Sequence, residues 1–547
     1  MPGCQFGFYP GRSTAHPIYI IRHLVDAAKA RPPRHPEKHV FSAFIDFKQA
    51  YDKIDREMLW SHLSGIGVPD ELMQILRDIY HGDSYVLVDG HKRTEAVHPT
   101  VGVKQGCPLS PLLFSLFVND VESFFMSDRG AESAHAGVQI PLVMYADDTT
   151  LLSNTRKDME VLLTSLARYA RHKKLVVNVD KSCVMVFNAR RKYAPFKYEG
   201  MPLSFVDEFK YLGVHLKSSC SMEHAANSMG GAFMAGIRRV GEYGEEFSVK
   251  GRPHVMLQLF QTFAISGAMY GCQVWGTHFL NLENRDKCAL SAKHAGFCKR
   301  LLGVKRSTAN EVILRECGQL PLHFYWFRAV IRCWNDMLKS NSRLLTDVVL
   351  ADRCLLRDAK SSWCKDLHQA LLQLDGCAEQ AVRIKEGRAL DLGVCLRQYM
   401  QSIYGMWDAH VGDPRDPHEM DGRKHVTYHA WFGLDFSESV RLGVRPPLPG
   451  YLRYWENANH VRAMARFRTS SHHLRVETGR HSRTKYRHRR CQHCGFGVED
   501  EKHAACICPF SEHLRIKHDF THDHDLDVLL TWFGTKTSST WTAIRMS

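Results

Sequence analysis

Two adjacent carboxylates, Asp147 and Asp148, lie between the apolar run Leu142-Val143-Met144 and the segment Thr149-Thr150-Leu151-Leu152. This pattern predicts two short strands joined by a tight turn that carries the acids. Carboxylates held on rigid apolar strands are suited to sharing divalent cations. Magnesium takes hard oxygen ligands and leaves room for substrate phosphates. Two such ions clamp the attacking and leaving oxygens of a phosphoryl transfer. An isolated Asp-Asp is ordinarily a polar surface turn, so the reading rests on what surrounds it.

A third carboxylate, Asp46, ends the β-rich run Val40-Phe41-Ser42-Ala43-Phe44-Ile45. Beyond it, Tyr51, Ile54, Met58 and Leu59 recur at helical spacing, which predicts that Asp46 sits where a strand feeds a helix. Between the acidic sites, the Gly- and Pro-punctuated loop Gly102–Pro111 opens an apolar helix over Leu112–Val118.

Read in order, Phe44-Ile45-Asp46-Phe47-Lys48-Gln49-Ala50-Tyr51-Asp52, Gln105-Gly106-Cys107-Pro108-Leu109-Ser110-Pro111 and Tyr145-Ala146-Asp147-Asp148 resemble consecutive reverse-transcriptase motifs. Upstream, Gln5-Phe6-Gly7-Phe8-Tyr9-Pro10-Gly11-Arg12-Ser13-Thr14 resembles the preceding fingers motif. Downstream, Leu175–Ser182 and Phe209-Lys210-Tyr211-Leu212-Gly213-Val214 resemble the last palm motif and the primer-grip hairpin. The resemblance implies an α+β right-hand polymerase: partial fingers, a palm with an antiparallel sheet, and a helical thumb. It assigns two magnesium ions to Asp46, Asp147 and Asp148, with Asp148 the more distant ligand. Lys181 matches a lysine that protonates departing pyrophosphate, although a solvated loop charge is the alternative. Tyr51 matches an aromatic that crowds a ribose 2′-hydroxyl, against plain helix core. Gln105, with Gly106 beside it, matches the position near the nascent base pair and template, against a polar loop residue. Arg12 is placed against template or triphosphate, although the family pattern has a basic residue where Tyr9 stands.

The net charge of +14 and pI near 9.0 suit a polyanionic partner. Much of the excess is local: Val461–Arg490 holds nine Arg, one Lys and one Glu. Such a stretch reads as a binder of phosphate backbones, because a merely solvated face mixes both signs. Next come Cys491, Cys494, His503 and Cys508, three thiolates and an imidazole suited to closed, structural tetrahedral zinc, with Cys506 a rival fourth ligand. This ending resembles the terminal CCHC knuckle of LINE-type (non-LTR) retrotransposon proteins. So do the basic segment and the Leu302-Gly303-Val304 and Gly318–Leu322 regions.

The expected organisation is fingers and palm over 1–218, helical thumb and connector over 219–450, basic segment over 451–490, knuckle over 491–510 and a tail over 511–547. Pro446–Gly450 marks a linker, and Arg31–Pro36 an exposed loop. Phe324, Trp326, Phe327, Val330, Ile331 and Trp334 read as packing within the connector. Scattered cysteines favour a reducing compartment, and the N-terminus shows no signal-peptide pattern. Val255–Gly276 lacks charged residues, but its glutamines favour a buried helix over a membrane span.

The implied partners are an RNA template, a DNA primer, target DNA and deoxynucleoside triphosphates, without a membrane, and the family resemblance implies the nucleus, with the cytoplasm as the alternative. Relatives usually carry more fingers sequence upstream, and commonly an endonuclease domain, so a 5′-truncated element or incomplete gene model with impaired polymerisation is expected. The alternatives are a catalytically inactive nucleic-acid-binding remnant and a group II intron maturase, the latter disfavoured by the terminal Cys/His spacing.

Overall fold

A computed structural model describes residues 3–517, apart from 33–34, 36–37, 128–133, 136–137, 141, 190–192, 282–283, 286, 412–427, 429–439, 441–444 and 455–456. Parts of the Arg31–Pro36 loop, of the connector and of the tail therefore lie outside the described residues.

Helix α1 (Ala15–Ala30) precedes strand β1 (Val40–Ile45), every residue of which is buried. The chain does not enter a helix after Asp46. Helix α2 runs only from Arg56 to Gly65, and Asp55 caps it by accepting from the Met58 N–H at 2.9 Å. The backbone ahead of it is engaged elsewhere: Phe47 bridges to Val177, the Lys48 N–H donates to Val176 O at 2.8 Å, and Gln49 has a φ of 53°. The spacing of Tyr51 and Ile54 therefore belongs to a turn segment, and the helical reading of that stretch is corrected.

Helix α3 (Leu109–Phe117) precedes β2 (Leu142–Tyr145) and β3 (Asp148–Ser153), which are followed by α4 (Arg156–His172), β4 (Cys183–Phe187) and β5 (Ser204–Phe205). These strands form a five-stranded sheet in the order β5-β4-β1-β3-β2. It is antiparallel except for the β5–β4 pair. Strand β1 is central, with Phe44 opposite Thr150 on one side and Cys183 on the other. Apolar residues on both faces of the pleat suit that position, because α1 and α4 pack on the sheet. The hairpin β6 (Glu208–Tyr211) and β7 (Val214–Lys217) lies over β1, with the Phe209 ring stacked on Phe44 at 4.3 Å.

Beyond residue 217 the fold is helical. Helix α5 (Gly230–Glu246) touches the π-helical turn Gln261–Ile265 that follows α6 (Pro253–Phe260). A Cβ at Gly236 would lie 2.3 Å from Phe263 O, so only glycine permits this crossing. The stretch Val255–Gly276, expected as one buried helix, is instead divided among α6, the π turn and a short helix, with Met256, Leu257, Phe260, Ala264 and Cys272 buried. Among the described residues, Leu109–Ser127 alone has the length and hydropathy of a span, and it places Leu113, Phe114, Phe117 and Phe125 in the core.

Helices α7 (Ala289–Leu302), α8 (Asn310–Glu316), α9 (Leu322–Leu338), α10 (Arg343–Asp358) and α11 (Trp363–Leu372) complete the described connector up to residue 372. The aromatic face of α9 is buried as expected. Helix α1 packs against α10 and is bonded into this layer: Tyr19 donates to Asp352 at 3.1 Å and Arg22 to Asp366 at 2.6 Å.

The Pro446–Gly450 stretch does not behave as a free linker. Pro446 is buried, and its carbonyl lies where a Cβ on Gly318 would meet it at 2.9 Å. The basic segment is likewise folded, into α12 (Ala458–Arg468) and α13 (Arg475–His481), with α12 against α7.

Candidate active site and zinc centre

Strands β2 and β3 meet at the pair Tyr145–Asp148, leaving Ala146 and Asp147 as a two-residue turn. Ala146 has a φ of 58°, a conformation that costs a residue with a Cβ about 1 kcal/mol or more. Residues 4–7 lie against the edge strand beside it. The Phe6 N–H donates to Met144 O and the Met144 N–H to Cys4 O, both at 2.8 Å. The Gln5 side chain reaches the turn itself. Its Oε1 accepts from the Ala146 N–H at 2.9 Å and its Nε2 donates to Ala146 O at 3.1 Å.

Asp46 leaves the end of β1 and is enclosed by residues 178–182. The Asn178 N–H donates to Asp46 O at 2.7 Å, and Asn178 Nδ2 donates to Asp46 Oδ2 at 2.9 Å. The Asp46 N–H donates to Ser182 Oγ at 3.1 Å, and that hydroxyl donates to Asn178 O at 2.8 Å. The same loop brings Lys181 into a cavity of about 220 Å³ lined also by Asp46, Asp148, Phe44, Phe209 and Tyr211.

The three carboxylates interact electrostatically. Asp148 is pushed up to about 6 by burial and then by Asp147 and Asp46, and Asp147 rises through burial and Asp46. Mutual repulsion among hard oxygen donors is the kind of charge a divalent cation relieves.

Tyr51 is half-buried, stacked on Phe114 at 4.8 Å, and its hydroxyl is raised by burial and by nearby Asp147. It stands beside the carboxylates and outside a helix. The loop after Gly102 is fixed to it: the Val103 N–H donates to Tyr51 O at 2.9 Å and the Gly102 N–H to Ile54 O at 2.8 Å. Gln105 is exposed and donates to both oxygens of Asp52, at 2.8 and 3.0 Å, while Gly106 has a φ of 81°.

Arg12 does not project into the cavity. Its guanidinium bonds to Gln5 O, lies over the Tyr9 ring at 4.6 Å and reaches Asn341. These contacts tie the side chain to residues 3–9 and to Asn341.

At the C-terminal end the structure gathers Cys491, Cys494, His503 and Cys508, with ligand atoms within 4.8 Å of one another. Cys491 and Cys508 sulfurs are 3.8 Å apart, and Cys494 Sγ lies 3.2 Å from His503 Nε2. Tetrahedral zinc, with metal–ligand bonds of about 2.0–2.3 Å, sets such atoms roughly 3.5–3.8 Å apart. The donor set fits that ion, and Cys506 stands outside the cluster. Gly495, with a φ of 72°, turns the chain between the ligands.

The Cys/His cluster is attached to the helical body. Glu501 accepts from Ser470 at 2.9 Å and lies 2.8 Å from His472, while Lys305 donates to His472 O at 2.9 Å. The basic stretch before it is not uniformly available. Buried Arg468 donates to Glu316 at 2.6 and 3.2 Å, and buried Arg489 donates to Val476 O and Thr484 O at 2.8 Å. Arg462, Arg483, Lys485, Arg487 and Arg490 remain exposed.

Gln5, Asn178 and Ser182 had no role in the sequence reading. Their signal was present in their types: amide and hydroxyl groups inside the segments that carry or flank the carboxylates.

Residues 1–216 match the family described as reverse transcriptase (RNA-dependent DNA polymerase). The Pol polyprotein of a type-2 retrotransposable element of Drosophila melanogaster is 29% identical over 228 residues, covering 39% of this chain and 21% of that protein. The RNA-directed DNA polymerase of the mobile element jockey from Drosophila funebris is 23% identical over 288 residues, covering 50% of this chain and 30% of that protein. The chain thus spans less than a third of the length of either relative. A solved apo telomerase from Candida tropicalis shares 9% identity over 75% of this chain and 56% of its own, at a TM-score of 0.31, a likeness too loose to weigh on the fold. The ordered motifs and the family match together identify residues 1–216 as a reverse-transcriptase domain, similar in sequence to those of these retrotransposable and mobile elements.

Proposed function

We propose that this chain is an RNA-directed DNA polymerase that extends a DNA primer on an RNA template. The observation that carries the reading is the convergence of Asp46, Asp148 and Lys181 on one cavity beside the Phe209–Tyr211 hairpin, with Asp147 in the adjoining turn. Asp46, Asp147 and Asp148 would hold two magnesium ions. Magnesium bound there would neutralise charge developing on the transferring phosphoryl group and acidify the primer 3′-hydroxyl.

The protein groups divide the remaining work. Lys181 donates a proton toward the departing pyrophosphate, a role supported by its place in the lining of the cavity with Asp46 and Asp148. Tyr51 sets its ring against the sugar and selects against a 2′-hydroxyl. Gln105, oriented by Asp52, supports the nascent pair. The exposed arginines of the C-terminal region hold RNA or target DNA by phosphate contacts, and zinc fixes the knuckle that presents them. Action on target DNA places this work in the nucleus.

The test is Asp147→Asn in the full chain, which removes charge while keeping shape. Primer extension on an RNA template is expected to vanish while RNA affinity is unchanged. Extension retained by the Asn variant would rule out the assigned metal site.

A further inference from the structure

We propose that Gln5 is a positioning residue for the catalytic turn: its side-chain amide holds Ala146 in its left-handed conformation and thereby sets the direction of Asp147. This rests on the polymerase reading for its purpose, but its geometry stands independently. Gln5 is 1% exposed and Ala146 6%. The amide forms a two-way pair with the Ala146 peptide groups, and Oε1 also accepts from the Gly7 N–H at 2.8 Å. Oε1 therefore satisfies one N–H on each side of the contact, while Nε2 satisfies the only carbonyl of the turn residue ahead of Asp147.

Two further observations show that this contact is built for close approach. A Cβ at Gly7 would lie 2.3 Å from the Ala146 nitrogen, so the neighbouring backbone sits directly against the turn. Gln5 also pairs with Met144 as a short parallel bridge, which aligns its side chain with the residue two positions further along. A residue with a Cβ does not hold a φ of 58° in a two-residue turn without support. Buried hydrogen bonds supply that support, because breaking them would leave three peptide groups unpaired away from water. Asp46, at the end of β1, and Asp147, in the β2–β3 turn, are thus both held by amides: Asp46 directly by Asn178, and Asp147 through the backbone by Gln5.

The experiment uses the full chain with Gln5→Met, Gln5→Glu and Gln5→Met combined with Ala146→Gly. Amide deuterium exchange is followed in the peptide spanning 142–150, and manganese affinity is measured by electron paramagnetic resonance. Gln5→Met is expected to speed exchange in that peptide by about tenfold or more, with peptides from α4 and α9 unchanged as proof of folding. Manganese affinity should fall about tenfold, and Gln5→Glu, whose second carboxylate oxygen cannot donate to Ala146 O, should lose at least as much. Adding Ala146→Gly should restore manganese affinity to within about threefold of the parent, since glycine adopts the positive φ unaided. A purely structural role for Gln5 gives no such rescue. Unchanged exchange at 142–150 overturns the proposal, as does unchanged manganese affinity in Gln5→Met when Asp147→Asn abolishes binding. If the parent binds no manganese through its aspartates, the polymerase reading fails instead, and the exchange data still decide the role of Gln5.

Discussion

Asn178 donates its side-chain amide to Oδ2 of Asp46 at 2.9 Å, across 132 positions of sequence. That bond occupies one oxygen of a carboxylate that lines the cavity shared with Asp148 and Lys181. The bond is charge-assisted, but Asn178 is only half-buried, so its worth is about 1 kcal/mol. Asn178→Ala should therefore lower kcat about fivefold to tenfold with little change in the KM for triphosphate. Ser182→Ala, which loses the bond to the Asp46 N–H, should give a smaller loss. A rise in KM with unaltered kcat would assign Asn178 to substrate binding instead.

The raised carboxyls at the turn make stability depend on pH and on cations together. Asp148 at about 6 stands above its ordinary 3.8, with burial the largest cause, followed by Asp147 and Asp46. Between these values the folded protein keeps a proton that the unfolded chain has released. Metal-free stability should therefore fall as pH rises from about 4 to about 6. Above that window the charge is uncompensated, so magnesium or manganese should raise Tm more at pH 7 than at pH 5. Asp148→Asn should flatten both trends in differential scanning fluorimetry. Because Asp148 reaches solvent, added potassium chloride should weaken them.

The elements that could be read from the sequence are those whose chemistry is local. Asp147 and Asp148 lie within a few residues of both strands that hold them, and Asp46 directly follows the apolar run that becomes β1. The four Cys/His residues of the cluster fall within eighteen positions, so their types and spacing sufficed to pick the four that meet. What stayed hidden depends on distant partners. Gln5 meets Ala146 across 141 positions, and Arg468 meets Glu316 across 152, so no periodicity announces either contact. The late start of α2 has the same origin, because the 176–177 segment occupies the backbone of residues 47–48. The bonds of Arg12 to the carbonyls of residues 3 and 5 were likewise hidden, because nothing in the Pro-Gly turn before it announces them.

Tyr51 should control sugar choice. Its ring is held on Phe114 and its backbone on the Val103 N–H, so truncation removes bulk without freeing the chain. Tyr51→Val should narrow the preference for deoxynucleotides, measured as the ratio of kcat/KM values, by about tenfold or more. Tyr51→Phe keeps the ring and should retain the preference. Equal discrimination by the Val variant would assign the selection to another group.

The C-terminal basic region should divide into structural and binding arginines. Arg468 is buried and faces Glu316, which also accepts from Tyr428 at 2.9 Å and from Tyr451 at 2.6 Å. Arg468→Gln leaves a buried carboxylate without its cation and should destabilise the fold by about 3–5 kcal/mol. At temperatures where that variant stays folded, the salt dependence of its RNA affinity should be unchanged. Arg487 is exposed, so Arg487→Gln should leave stability alone and reduce the slope of log affinity against log salt by about 1. Zinc connects the two groups. The knuckle carries Glu499 and Glu501, which accept from the backbone of Arg475 and from Ser470. Cys494→Ser or a chelator should therefore loosen α13 and the exposed arginines after it, weakening RNA binding without removing a charge. Zinc stoichiometry and affinity measured together at several salt concentrations decide the matter. A metal-free chain that binds RNA with the parent's affinity and slope would leave the knuckle without a part in recognition.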